Sequence, residues 1–147
     1  MKIKLHTKHK KILADTFTPV GIYLKLRDKF HNSILLESSD YHGNENSYSF
    51  ICCKHIATFK IENNVITENY PGDRNSTTEI TKQVSVIEKL KKFAASFETE
   101  NSDLTAKGLF GYSSYDSVKY FEDVEINSKK QQEKEIPDMI YSLYRFV

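Results

Sequence analysis

The sequence has no long apolar run, no excess of either charge and very little cysteine. Each shortage narrows the field. Crossing a bilayer as a helix takes about 20 apolar residues, and no stretch of the 147 residues approaches that. The first residues carry Lys and His throughout and lack the apolar core of a secretory signal. Lys plus Arg total 21 and Asp plus Glu 20, which gives no general reason to expect nucleic acid or a membrane as partner. The two cysteines, Cys52 and Cys53, are neighbours in an apolar run. Adjacent residues form no ordinary loop-closing bridge, so they read as buried strand residues of a cytoplasmic protein.

Charge is uneven locally. Residues 2 to 11, "KIKLHTKHKK", carry five lysines and no acid. A solvated edge strand, with lysine blocking unwanted pairing, explains this better than a phosphate-binding patch. The length fits one domain or a piece of a longer protein. The last residues, "IPDMIYSLYRFV", read as a strand in which the sequence stops, which leads us to expect a piece cut from something longer.

Between these ends the pattern predicts a succession of short elements. Residues 10 to 15 are a strand candidate. Thr18 and Pro19 suit the N-cap and first position of a helix reaching about Lys29, with Ile22, Leu24, Leu26 and Phe30 on its apolar side. Residues 33 to 38 predict a strand. Residues 48 to 61 alternate, placing Ile51, Cys53, Ala57, Phe59 and Ile61, with His55, on one face. Asn63 and Asn64 suit a hairpin turn, with "VITENY" returning. Ile80, Val84, Ile87, Leu90, Ala94 and Phe97 recur at helical spacing and predict a helix from about Thr77 to Phe97, opened by a Ser76/Glu79 capping box. "GLFGYSSYDSVKYFED" reads as a strand running into a short helix, and residues 126 to 135 as a charged loop. Most connections are too short for parallel crossovers, so the fold expected is α+β, a mixed, mainly antiparallel sheet with packed helices.

Few of the familiar chemical signals survive scrutiny. His6 and His9 lie three apart in a strand-like segment and point to opposite faces, which argues against joint metal ligation. Cys52 and Cys53 have no electropositive neighbour to activate a thiolate. Gly108 and Gly111 lack the spacing and the Lys-Ser/Thr pair of a phosphate loop, and read as glycines that let a strand pack closely.

One stretch resists a bland reading. In "SILLESSDYHGNENSYSFICC", residues 33 to 53, an apolar strand breaks at Glu37 into Ser38, Ser39 and Asp40, and a second strand begins at Tyr48. From the residues alone, a turn and a pocket for a small polar ligand both fit. "ILLESSDYHGNENSYSFI", together with "GLFGYSSYDSVKYFED" some sixty residues later, resembles the N-terminal domain of anthranilate synthase component I, in the chorismate-utilising synthase family. The resemblance takes in "DTFTPVGIYLKL" and "IPDMIYSLYRF", and so nearly the whole chain. The sequence departs from many relatives where they have an arginine before the Tyr-Ser-Phe-Ile run and a glycine after it; here Asn46 or Ser47, and Cys52, stand in those places. Glu37 favours the tryptophan branch over the aminodeoxychorismate synthases of the folate branch, which often carry Asp there.

The resemblance implies a regulatory role. In that family chorismate, magnesium and the catalytic acids and bases belong to a larger C-terminal domain, whose motifs this sequence lacks. It therefore implies no catalytic residue and no cofactor here, and three partners: that catalytic domain, a glutamine amidotransferase subunit and L-tryptophan as effector. Leu36 is expected to wall the indole and Glu37 to accept from the ammonium or the indole N–H. Ser38 and Ser39 are expected to offer hydroxyls and backbone groups, and Tyr48 and Ser49 to close the far side. The competing expectations are an aminodeoxychorismate synthase domain, a free-standing amino-acid-binding module and, more remotely, a nucleic-acid-binding protein acting through the N-terminal lysines.

Overall fold

The computed structural model describes residues 2–38, 48–100, 108–122, 124 and 136–147. In chain order its elements are β1 (Ile3–Leu5), α1 (Pro19–Arg27), β2 (Ile34–Glu37), β3 (Ser49–Glu62), β4 (Val65–Tyr70), β5 (Arg74–Glu79), α2 (Val86–Ala95), β6 (Phe97–Thr99), β7 (Phe110–Ser113), a 3-10 helix (Tyr115–Tyr120) and β8 (Met139–Phe146). Six strands form one sheet in the order β5-β4-β3-β8-β7, with β2 paired to β3 off that path. The ladders β2–β3, β3–β4, β4–β5 and β7–β8 are antiparallel, so the expected α+β class with a mainly antiparallel sheet holds. β1 and β6 run parallel, as a separate two-stranded sheet. Among the described residues no helix is long and apolar enough to cross a membrane.

Two compact units divide the chain, one comprising residues 1–7 and 57–143, the other residues 8–56 and 144–147. The larger unit holds most of the core. Asn63 and Asn64 both adopt positive φ, 50° and 62°, the two-residue turn that matches the twist of a hairpin and that asparagine tolerates. β4 therefore pairs directly back on β3, Ile61 opposite Ile66. The next turn, Pro71-Gly72-Asp73, puts Gly72 at φ 79°, and the Arg74 guanidinium donates to the Pro71 carbonyl at 3.1 and 3.2 Å. α2 lays Val86 and Phe93 into the core. The Phe93 ring sits 5.7 Å from Phe59, 5.1 Å from Tyr70 and 5.3 Å from Phe97, tilted or edge-on, as ring quadrupoles favour.

Several buried polar groups in this unit are paired. The hydroxyls of Thr58 on β3 and Ser142 on β8 share a 2.9 Å hydrogen bond. Glu68, only 6% exposed, accepts from the Tyr70 hydroxyl at 3.1 Å and lies 3.7 Å from the Lys89 ammonium. Lys89 also donates to Thr78 at 3.0 Å, which ties α2 to β4 and β5. At the N-terminus, Lys2 pairs with Glu98 at 2.8 Å and donates to the Ala95 carbonyl at the end of α2.

The helix expected over Thr77–Phe97 is shorter than its pattern. Residues 74 to 79 are strand β5, and Ser85, not Ser76, is the N-cap, accepting from the Glu88 N–H at 3.2 Å. The tight turn at Gly72 delivers Arg74 opposite Tyr70, and the β-branched pair Thr77-Thr78 continues the ladder. Ala94 is exposed; the buried face of α2 is set by Val86 and Phe93. The strand candidate at residues 10 to 15 is also absent. Ile12 and Leu13 are exposed and Phe17 N–H closes a turn on the Ala14 carbonyl. His55 is exposed rather than on the apolar face. Lys54, at φ 60°, breaks the alternation of β3, so Cys52 and Cys53 are both buried although they are neighbours. The segment 126–135 lies outside the described residues.

Candidate effector-binding site

The smaller unit carries the stretch that resisted a bland reading. α1 forms as expected: Thr18 accepts from the Gly21 N–H at 3.0 Å and Pro19 occupies the first turn. The Tyr23 hydroxyl donates to the Ser33 carbonyl at 3.3 Å, and Tyr144 reaches the Asn32 carbonyl at 3.0 Å, so both sides of the turn into β2 are fastened. β2 then pairs antiparallel with the first residues of β3: Ile34 opposite Cys52, Leu35 opposite Ile51, Leu36 opposite Phe50 and Glu37 opposite Ser49.

Five of the six residues singled out from the sequence meet at the end of this ladder where β2 leaves and β3 begins. The Ser49 hydroxyl lies 3.5 Å from a Glu37 carboxylate oxygen, and the Ser38 N–H donates to the Tyr48 carbonyl at 3.1 Å. Ser39 lies outside the described residues, as do Asp40, Asn46 and Ser47. Register adds a detail that sequence alone did not give. Directly opposed residues share a face and successive ones alternate, so Glu37 and Ser49 stand on one face and Leu36 and Phe50 on the other. Glu37, Ser38, Tyr48 and Ser49 are exposed and Leu36 is half-buried; Tyr48 keeps 63% of its surface accessible. The described residues thus form an open shelf with a carboxylate, two hydroxyls and an aromatic ring. A 3.5 Å contact is at the limit of hydrogen bonding, so Ser49 holds the exposed Glu37 carboxylate only weakly.

The second motif builds something different, within the larger unit. β7 ends at Ser113, and the 3-10 helix follows from Ser114, whose N–H donates to the Asp138 carbonyl at 2.8 Å and whose own carbonyl accepts from Ser117 Oγ. Asp138, 5% exposed, takes the Tyr120 hydroxyl at 2.8 Å and the Lys119 ammonium at 3.2 Å on one oxygen. Burial, and then the neighbouring carboxylate of Asp138, push the Tyr120 phenol well above the ordinary tyrosine range. This cluster clamps the 3-10 helix to the start of β8. In the sequence the two partners stand as a Lys-Tyr pair and a Pro-Asp pair on either side of a long polar segment, with nothing local to join them. Among the described residues the Ser114 hydroxyl is buried with no hydrogen-bond partner.

The two thiols are unsuited to nucleophilic chemistry. Burial, and then Cys53, push Cys52 up to about 11, and burial raises Cys53 as well; both stay protonated near neutrality. Among the described residues no group of three or more His, Cys, Asp or Glu stands close enough to hold a metal ion.

Comparison with known proteins agrees with the motifs. Anthranilate synthase component 1 of Lactococcus lactis is 30% identical over 140 residues, 93% of this chain and 28% of its own length. That of Aquifex aeolicus is 33% identical over 123 residues, 84% of this chain and 24% of its own. That of Thermus thermophilus is 31% identical over 140 residues, 94% and 28% respectively. No family model matches the chain, and no solved structure does. The chain spans about a quarter of the length of these relatives. Over most of its length the chain is homologous to a domain-sized part of these anthranilate synthase component 1 proteins.

Proposed function

We propose that the chain is the N-terminal, tryptophan-sensing domain of an anthranilate synthase large subunit, working with a catalytic domain that it does not itself contain. The observation that carries this reading is the convergence of Glu37, Ser38, Tyr48 and Ser49 at one ladder end, in a chain homologous to three component 1 proteins. A free amino acid needs acceptors for its ammonium, donors for its carboxylate and an apolar surface for its ring. Glu37 serves the first need, Ser38 and Ser49 the second, and Leu36 with Tyr48 the third. Because these groups stand on both faces of the ladder, the ligand meets the ladder end rather than lying on one side.

In this reading the catalytic domain supplies the remaining walls, the chorismate site and the magnesium ion, and a glutamine amidotransferase subunit supplies ammonia. The chain alone catalyses nothing. Tryptophan inhibits by binding the inactive arrangement of the two domains better than the active one, and a coupling of about 1–3 kcal/mol is ordinary for such a switch. An acceptor left without its donor in a closed site costs about 1–3 kcal/mol, which favours tryptophan over phenylalanine if Glu37 meets the indole N–H.

The test is anthranilate formation by the chain combined with a component 1 catalytic portion, measured with and without tryptophan. Inhibition by tryptophan that Ser38→Phe relieves, with activity retained, is the expected result. An inhibition constant unchanged in Ser38→Phe contradicts the site assignment.

A further inference from the structure

We infer that the exposed stripe Ile12, Leu13, Phe17, Val20 and Leu24 is the surface on which this chain docks to the remainder of an anthranilate synthase large subunit. The inference rests on the reading above that such a partner exists, and adds where it is met. The stripe lies entirely within the smaller unit. Leu13 is 85% exposed and Ile12 69%, while Phe17, Val20 and Leu24 keep 46–59% of their surfaces accessible. Five large exposed apolar side chains within thirteen residues exceed the scattered exposure of an ordinary surface, and concentrated exposure of this kind marks interaction sites.

The helix inside the stripe makes the same point. α1 is nine residues long and buries none of its side chains. Isolated helices shorter than about 12–15 residues are marginal in water, and helices in proteins draw their stability from a covered apolar face. Thr18 and Pro19 start α1 well, yet Val20 and Leu24, one turn apart on a single face, stay open. Covering them completes an element that is otherwise half supported. The relatives offer a covering: about three quarters of their length has no counterpart in this chain.

Charge chooses among occupants. Lys8, Lys10 and Lys11 precede the stripe and Lys25, Arg27 and Lys29 follow it, against Asp15 and Asp28. A second copy docking by the same patch would set these cations against one another, since a two-fold interface pairs a surface with itself. A partner surface that fits has an apolar groove with a carboxylate rim, which steers the basic flanks as the groove receives the side chains.

The experiment titrates the full 147-residue chain against the part of the Thermus thermophilus component 1 protein that it does not match, by calorimetry, without tryptophan. Phe17→Asp/Leu24→Asp is expected to weaken binding by about tenfold or more, as removal of central apolar anchors does. Leu13→Asp gives a smaller loss, and Tyr115→Asp, equally exposed but in the larger unit, gives none. Amide exchange over α1 slows in the complex. No binding by the unaltered chain removes the functional reading itself. Binding that is unchanged in Phe17→Asp/Leu24→Asp removes only the surface assignment. So does a stripe-dependent dimer in light scattering, or stripe-dependent binding to phosphatidylserine vesicles with the protein partner still bound.

Discussion

Gly111 shows how a single missing atom fixes an interface. A Cβ at this position runs into the Ile140 backbone carbonyl on the neighbouring strand, and backbone yields far less than a flexible side-chain end. Gly111→Ala is expected to cost about 1–3 kcal/mol, as overpacking does, read as a lower urea midpoint with an unchanged slope. Tyr120 and Cys52 are among the groups that lower stability at alkaline pH. Both are raised in the folded state, so their contribution is complete below the unfolded values, 10.0 and 9.0, and declines as pH climbs through the folded ones. Stability is expected to hold from neutrality to about pH 9 and to fall between pH 9 and 11, and the fall is smaller in Cys52→Ala/Tyr120→Phe. Urea midpoints at pH 8 and pH 10.5 decide this. At neutral pH both thiols should resist a disulfide reagent until the chain is unfolded.

The caps and turns explain which elements were readable from sequence. Thr18-Pro19 and Asn63-Asn64 are local signals with a single physical meaning, and both elements formed where they predict. The ladder end was readable in part: the break at Glu37 and the restart at Tyr48 located it, but the face of each residue came only with register. The long helix failed because Ile80, Val84 and Ile87 fall at helical spacing while Ile80 and Val84 lie in the loop between β5 and α2 and only Ile87 is in the helix. The turn Pro71-Gly72-Asp73 carried the opposite signal and commits the chain to a hairpin before any helix can begin. Lys54 at positive φ could not be foreseen, because a lysine rarely adopts it. The corrected start is testable. Ser85→Ala removes the side chain that caps α2 and is expected to cost about 0.5–2 kcal/mol. Ser76→Ala, on the exposed edge of β5, stays within about 0.5 kcal/mol of the unaltered chain. The reverse order returns the helix start to Ser76.

For the molecule as a whole, a buried aromatic core in one unit coexists with a polar shelf and an uncovered apolar stripe in the other. A core secures a fold by itself, whereas a shelf of exposed ligand groups binds tightly only when other walls exclude water and hold the ligand from the far side. Tryptophan sensing is therefore expected to be a property of the chain together with a catalytic portion. The chain contains no tryptophan, so any indole fluorescence change in the isolated domain comes from the ligand alone. Calorimetry with L-tryptophan, on the 147-residue chain by itself and then in complex with a component 1 catalytic portion, is the decisive measurement. Negligible heat from the chain alone and saturable one-to-one binding in the complex, weakened in Ser38→Phe, is the predicted pair of results. Micromolar binding to the isolated chain, or no binding in the complex, contradicts it.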